Sequence, residues 1–182
     1  MIKIVDNFLD FPEEYYRLCK ELKFYNQEDF KKVTGHENNF PGLRTNYLDI
    51  DYPFLYYSVL SYIKNKFELN LDPYQRIAAH GQMRFDDSKD WVHSDLGDTV
   101  IIYLSPTNDK SGTGIYDVVG DDGKEWIYKQ TAMVNFVQNR GLFFTHGTNH
   151  QAINNHGTNK ENGRLTLTYF LQRKPFYFRV LI

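Results

Sequence analysis

From Tyr74 onward the chain shows no helical stripe, and this constrains its fold more than any other feature. Short apolar or alternating runs follow one another: Gln75 to Phe85, Thr99 to Leu104, Gly114 to Val119, Glu125 to Phe136, Leu142 to Phe144, Gln151 to Ile153, Leu165 to Gln172 and Phe176 to Val180. Turn signals separate them at Ser111-Gly112, Gly120-Asp121-Asp122-Gly123, Asn139-Arg140-Gly141 and Asn162-Gly163. Such runs bury little surface alone and must pair into sheets. Many short strands at this spacing predict a barrel, sandwich or jelly roll. In the run after Gly163, Leu165, Leu167, Tyr169 and Leu171 alternate with Arg164, Thr166, Thr168 and Phe170, which sets a mostly polar row on one face.

The N-terminal part reads differently. Met1 to Phe8 is a short strand and turn. Asp10-Phe11-Pro12-Glu13 opens a helix, with Asp10 as cap, Pro12 in the first turn and Glu13 closing a capping box. Leu18, Cys19 and Leu22 give it a buried face. A loop rich in Asn, Gly and Pro follows, through Gly35 to Pro41-Gly42. A second helix starts near Pro53, with Leu55, Val59, Ile63 and Phe67 on one stripe, and ends by Asn70 and Pro73. The expected organisation is one domain over 1–182: a helical layer over about 1–73 and a β core over about 74–182.

At 182 residues the chain can build one real core. Phe and Tyr, at 14 each, suit a β core and deep pockets. A net charge of −2 offers no basic field for nucleic acid or an anionic membrane. Cys19 is the one cysteine, so no intrachain disulfide forms, which suits a reducing compartment. No stretch approaches the roughly 20 apolar residues of a membrane span, and the charged N-terminus lacks the pattern of a signal peptide. The expectation is a cytoplasmic protein of undefined oligomeric state.

Chemistry concentrates in His93-Ser94-Asp95, followed by His150 and then Arg164-Leu165-Thr166. Residues two apart on an extended chain face the same way, so His93 and Asp95 can reach one metal from one strand end. A third ligand must come from a facing strand. His150 opens an apolar pair, Ala152 and Ile153, whereas His146 sits inside the turn Thr145-His146-Gly147-Thr148, so His150 is the favoured ligand. Two imidazoles and a carboxylate are the donor set of a non-haem Fe(II) facial triad. His36 and His156 fall in Asn/Gly-rich loops and read as solvated; His80 reads as a core or pocket residue. Arg44, in the turn Pro41-Gly42-Leu43-Arg44-Thr45, reads as a surface arginine, with an acidic substrate group as the other possibility.

The ordered set resembles the Fe(II)/2-oxoglutarate-dependent dioxygenases, in the compact branch similar to prolyl hydroxylases. The resemblance runs over about residues 75 to 172. It includes Met83-Arg84-Phe85 before the ligand strand, Thr99 to Ser105 after it, the turn Ser111 to Tyr116, and Asn139 to Phe144 before the distal histidine. It departs in the long gap between His150 and Arg164, where Asn154 to Asn162 reads as a surface loop.

The resemblance implies a double-stranded β-helix (a cupin-like jelly roll) with the N-terminal helices packed outside. It implies Fe(II) on His93, Asp95 and His150, O2 as oxidant, and 2-oxoglutarate as co-substrate, with Arg164 and Thr166 on its far carboxylate. Tyr103 and Phe85, with Tyr116, are candidate pocket walls, and Tyr103 is a candidate donor to 2-oxoglutarate; all three serve equally well as core rings. The implied activity is hydroxylation of a small-molecule or peptidyl substrate with release of succinate and CO2. A non-catalytic jelly-roll binding module and a cupin-like metal isomerase are the alternatives.

Overall fold

The computed structural model describes residues 1–37 and 39–173, so the strand expected at Phe176 to Val180 lies outside the described residues. Two antiparallel sheets face each other. The larger has the order β1 (Ile2–Val5), β8 (Gly141–Phe144), β5 (Asp98–Tyr103), β10 (Arg164–Arg173), β4 (Tyr74–Arg84), β3 (Leu43–Thr45), β2 (Phe24–Tyr25). The smaller has the order β7 (Trp126–Phe136), β6 (Asn108–Asp121), β9 (Asn149–Ile153). After β7 the chain alternates between sheets, β8 in the larger, β9 in the smaller, β10 in the larger. This is the double-stranded β-helix, or jelly roll. Helices α1 (Pro12–Lys20) and α4 (Pro53–Lys66) pack on the outer face of the larger sheet; α2 (Gln27–Thr34) and α3 (Leu48–Asp51) complete the N-terminal part.

Alternation along the central strands creates two different faces. Leu165, Leu167, Tyr169 and Leu171 of β10, Ala79 and Met83 of β4, and Val100 and Ile102 of β5 form the main core with Leu55, Val59 and Ile63 of α4. Each large apolar side chain buried there contributes roughly 1.5–3 kcal/mol. Polar pins fix α4 on the sheet: Tyr169 donates to the Tyr56 carbonyl at 3.0 Å, and Tyr56 donates to the Ile77 carbonyl at 2.8 Å. The opposite, inner face meets the smaller sheet. There Ile101, Tyr103, Leu142 and Phe144 close one end of the sandwich against Val134 and Phe136. The rest of that face is polar and lines a cavity. Strand β5 is buried along its whole length because the sheet is covered on both faces.

The N-terminal part is less purely helical than its sequence pattern predicts. Strand β1 adds to the sheet edge against β8, and β2 and β3 extend the other edge. Helix α2 falls where the sequence reads as loop. Its signals are local: Asn26 Oδ1 accepts the Asp29 amide at 2.9 Å, and Gly35 ends the helix with φ of 72°. Asp10 does not cap α1. Phe11 occupies that position without a side-chain bond, while the Asp10 carboxylate accepts from Tyr62 at 3.0 Å. Leu18 is 52% exposed; Cys19 and Leu22 alone face the core. Leu18 and Cys19 are adjacent on the helix and point about 100° apart, and Leu22 lies beyond its end. Asn139, in the left-handed region at φ 62°, ties this layer to the jelly roll by bonding both the amide and the carbonyl of Leu9.

Candidate active site

The polar inner face opens into a cavity of about 300 Å³. His93, Asp95 and His150 meet there, with one ligand atom from each within 4.8 Å of the others. Backbone pairing makes this possible. His93 and His150 exchange two main-chain hydrogen bonds, 3.0 and 2.8 Å long, so the ligand segment docks on β9 of the smaller sheet. Two residues on, Asp95 faces the same way and heads toward β5 of the larger sheet. The triad therefore bridges the two sheets.

Hydrogen bonds prepare each ligand. His93 Nδ1 faces the Trp91 carbonyl at 2.9 Å, and His150 Nδ1 faces the Thr148 carbonyl at 3.0 Å. A carbonyl only accepts, so both Nδ1 atoms carry hydrogen, which leaves Nε2 of each ring as its ligating atom. Thr99 donates to Asp95 Oδ2 at 2.6 Å, and His150 Nε2 lies 3.5 Å from the same oxygen. Burial lowers the pKa of His150, which is 5% exposed, and keeps it in its neutral, ligating form. Nitrogen, nitrogen and oxygen donors fixed this way fit a divalent first-row metal. His146 is exposed in its turn, outside the cluster, where only its amide is engaged, by Asp98 Oδ1.

Arg164 projects from the start of β10 into the same cavity and is 1% exposed. Its Nη1 donates to Asn155 Oδ1 at 2.9 Å and its Nη2 to the Gly112 carbonyl at 3.1 Å, while Nε has no partner. Burial is the main cause holding its pKa down at about 10, with the nearby Arg84 charge adding to the effect. A buried cation with an unused donor, facing a cavity, fits a carboxylate ligand. Gly112 is required here, because a Cβ would strike the Val134 carbonyl and push β6 off β7. The stretch between His150 and Arg164 is more than a surface loop. Asn155 reaches back to Arg164, and His156 is half-buried against Phe136 at 5.5 Å instead of solvated.

Other expected pocket residues are placed differently. Tyr103 is on the inner face but wholly buried, stacked on Phe136 at 4.4 Å, and its hydroxyl donates to Thr113 at 2.7 Å. It supports Arg164 from beneath, 5.8 Å from the guanidinium, and does not line the cavity. Phe85 falls on the opposite face and packs against the helical core, one residue out of phase with Arg84. Tyr116 donates to Gln151 away from the cavity. Thr166 is buried without reaching the cavity wall; Thr168 lines the cavity with an unpartnered hydroxyl. His80 lines it too, its Nδ1 bonded to the Thr45 carbonyl at 3.0 Å.

Arg44, read from sequence as a surface residue, is 7% exposed and lines the cavity. Gly42 makes this possible: with φ of 76° and the Met83 carbonyl pressed against it, it turns the chain sharply onto β4 and delivers β3. Arg44 thus takes the cavity position that was its second possibility, while Thr99, Asn155, Thr168 and Arg84 are site residues assigned no role from the sequence. Only the alternation of Arg84 with Met83, and of Arg44 with Leu43, hinted at their side.

Fold and donor set together define a class: a jelly roll built around a 2-His-1-carboxylate centre. No protein-family model matches the sequence, and no curated protein matches it significantly. Solved structures do match. A Pseudomonas putida prolyl-4-hydroxylase is 15% identical with a TM-score of 0.55, covering 95% of this chain and 92% of that one. HygX from Streptomyces hygroscopicus, solved with nickel and 2-oxoglutarate, is 11% identical with a TM-score of 0.64, covering 97% and 84%. SnoK, a non-haem α-ketoglutarate-dependent carbocyclase of nogalamycin biosynthesis, is 12% identical with a TM-score of 0.56, covering 94% and 79%. The likeness to these oxygenases, prolyl hydroxylase among them, is one of fold over nearly the whole chain.

Proposed function

We propose that this protein is an Fe(II)- and 2-oxoglutarate-dependent dioxygenase that hydroxylates a small-molecule or peptidyl substrate. The observation that carries the reading is the convergence of His93, Asp95 and His150 in the cavity that also holds the buried Arg164. The overall balance is R–H + O2 + 2-oxoglutarate → R–OH + succinate + CO2. Bound iron supplies a redox-active Lewis acid with open positions on one face.

The chain's own residues do the positioning. The Trp91 and Thr148 carbonyls hold the two imidazoles in the tautomer that leaves Nε2 unprotonated. Thr99 fixes the Asp95 carboxylate through a 2.6 Å hydrogen bond. Arg164 would hold the far carboxylate of 2-oxoglutarate, and Asn155 and Gly112 keep the guanidinium aimed. Burial of His150 and Arg164 strengthens the contacts these two make. Among the described residues no helix is long and apolar enough to cross a membrane. A cytoplasmic setting suits a ferrous centre and the buried thiol of Cys19, whose pKa burial pushes up to about 12.

The test is anaerobic addition of Fe(II) and 2-oxoglutarate, followed by O2. The expected result is a visible charge-transfer band, then succinate, both lost in His93→Ala and Asp95→Ala. A binding module or an isomerase would give no succinate, and a band that survives either substitution would sink the proposed ligand set. Because SnoN and SnoK are an epimerase and a carbocyclase on this fold, product analysis must accompany the succinate assay to name the reaction.

A further inference from the structure

Four arginines of the larger sheet line the cavity, Arg44, Arg76, Arg84 and Arg164, and the co-substrate accounts for only one. Arg44 stands opposite Gln82 in the β3–β4 register, two residues from Arg84, so both guanidinium groups enter the cavity from one side. Among the described residues the Arg44 guanidinium makes no hydrogen bond or ion pair, and its buried Nε has no partner. Its recorded neighbour is the Phe40 ring at 4.5 Å. Arg84 has a single, loose ion-pair partner. Its nearest carboxylate is Asp90 at 3.7 Å, beyond hydrogen-bond length, and its Nε is also unpartnered.

Asp90 is the one carboxylate paired with either of them, and it lies on Arg84; among the described residues Arg44 has no carboxylate partner. Asp90 accepts the Trp91 amide on Oδ1 and the Ala152 amide on Oδ2, each at 2.9 Å. Asp95 belongs to the metal cluster and already accepts from Thr99. Two largely buried cations side by side, with unused donors, are costly unless something anionic joins them. Arginine's planar fork suits an oxyanion better than a point charge would. Arg76, exposed on the cavity wall, adds a third positive charge.

We propose that Arg44 and Arg84 form a second anion site, which takes the acidic group of the primary substrate. The substrate is then a small acid carrying a carboxylate or a phosphoryl group, anchored beside the metal cluster while Arg164 holds the co-substrate. The word substrate rests on the oxygenase reading; the anion site does not.

The test uses Mn(II)-loaded protein saturated with 2-oxoglutarate, titrated with inorganic phosphate and, separately, acetate at constant ionic strength. Calorimetry and thermal unfolding read the binding. The expected result is saturable binding of at least one anion with a rise in Tm, and the tighter anion tells phosphoryl from carboxylate. Arg44→Met should raise the Tm of the anion-free protein, abolish the anion response, and leave 2-oxoglutarate affinity unchanged. Arg44→Lys, which keeps the charge but not the fork, should weaken the anion roughly tenfold. The proposal is overturned if neither anion binds, or if Arg44→Met lowers Tm with the anion response intact, which would mark a structural role. It is also overturned if Arg44→Met loses 2-oxoglutarate as fully as Arg164→Gln does. Should 2-oxoglutarate fail to bind wild type, the oxygenase reading falls, and the same titration without metal or 2-oxoglutarate still decides the anion site.

Discussion

Acid should destabilise this protein through His80, well above the range where carboxylates titrate. The side chain is 2% exposed, and its Nδ1–H is committed to the Thr45 carbonyl at 3.0 Å. Burial, with the nearby Arg44 charge, pushes its pKa down to about 3. In the unfolded chain it titrates near 6.5. Between those values the unfolded state binds a proton that the folded state refuses, so stability is full above pH 6.5 and falls as pH drops toward 3. The slope approaches about 1.4 kcal/mol per pH unit, and moving from pH 7.5 to 5.0 costs about 2 kcal/mol from this residue alone. For a chain of this size that is a Tm drop of roughly 4–8 °C. The assay is urea unfolding across pH 5.0 to 7.5 on wild type and His80→Asn, which keeps a donor for Thr45. The buried His150 and half-buried His156 shift in the same direction and contribute to both curves, so the difference between curves isolates His80. Parallel pH curves for the two proteins would refute the reasoning.

Further outcomes follow from single contacts. Thr99→Val removes the hydroxyl that holds Asp95, and metal affinity should fall about 10–100-fold in a Co(II) titration with the circular dichroism unchanged. Arg164→Gln should weaken 2-oxoglutarate about 100-fold by calorimetry while leaving metal binding intact. Asn155→Ala, which frees one Nη of Arg164, should raise the KM for 2-oxoglutarate several-fold with a smaller change in kcat; an unchanged KM would show that the loop does not aim the guanidinium. Asn139→Gly keeps the left-handed backbone but strands the amide and carbonyl of Leu9, and should cost ~2–4 kcal/mol in urea unfolding.

Much of the β core was legible because period-two alternation is a local property. Seven of the expected strands fall on β4 to β10, and the polar row of β10 lies on the cavity side as its alternation predicts. The long stripe of α4 was equally plain. Elements whose signals are short were missed: α2 has only a cap and a glycine to mark it, and β2 and β3 are two and three residues long. Asp10 shows the opposite failure, a capping sequence whose carboxylate found Tyr62 instead.

For the site, spacing in the sequence put His93 and Asp95 on one face and offered His150 as the third candidate ligand; the backbone pairing of His93 with His150, which spacing does not show, brings the three together. The sequence by itself also determined Arg164, through its place on an alternating strand. Only the tertiary structure decided what surrounds them. Whether an arginine meets water or a cavity depends on what packs over it, so Arg44 became a cavity residue when Gly42 folded β3 onto β4. Tyr103 and Phe85 left the cavity wall for the same kind of reason: one ring lies beneath Arg164, the other on the far side of the sheet. Asn155 acts on Arg164 because a loop read as surface closes back over the sandwich. Strand spacing fixes which residues share a face; packing of distant segments fixes what that face meets.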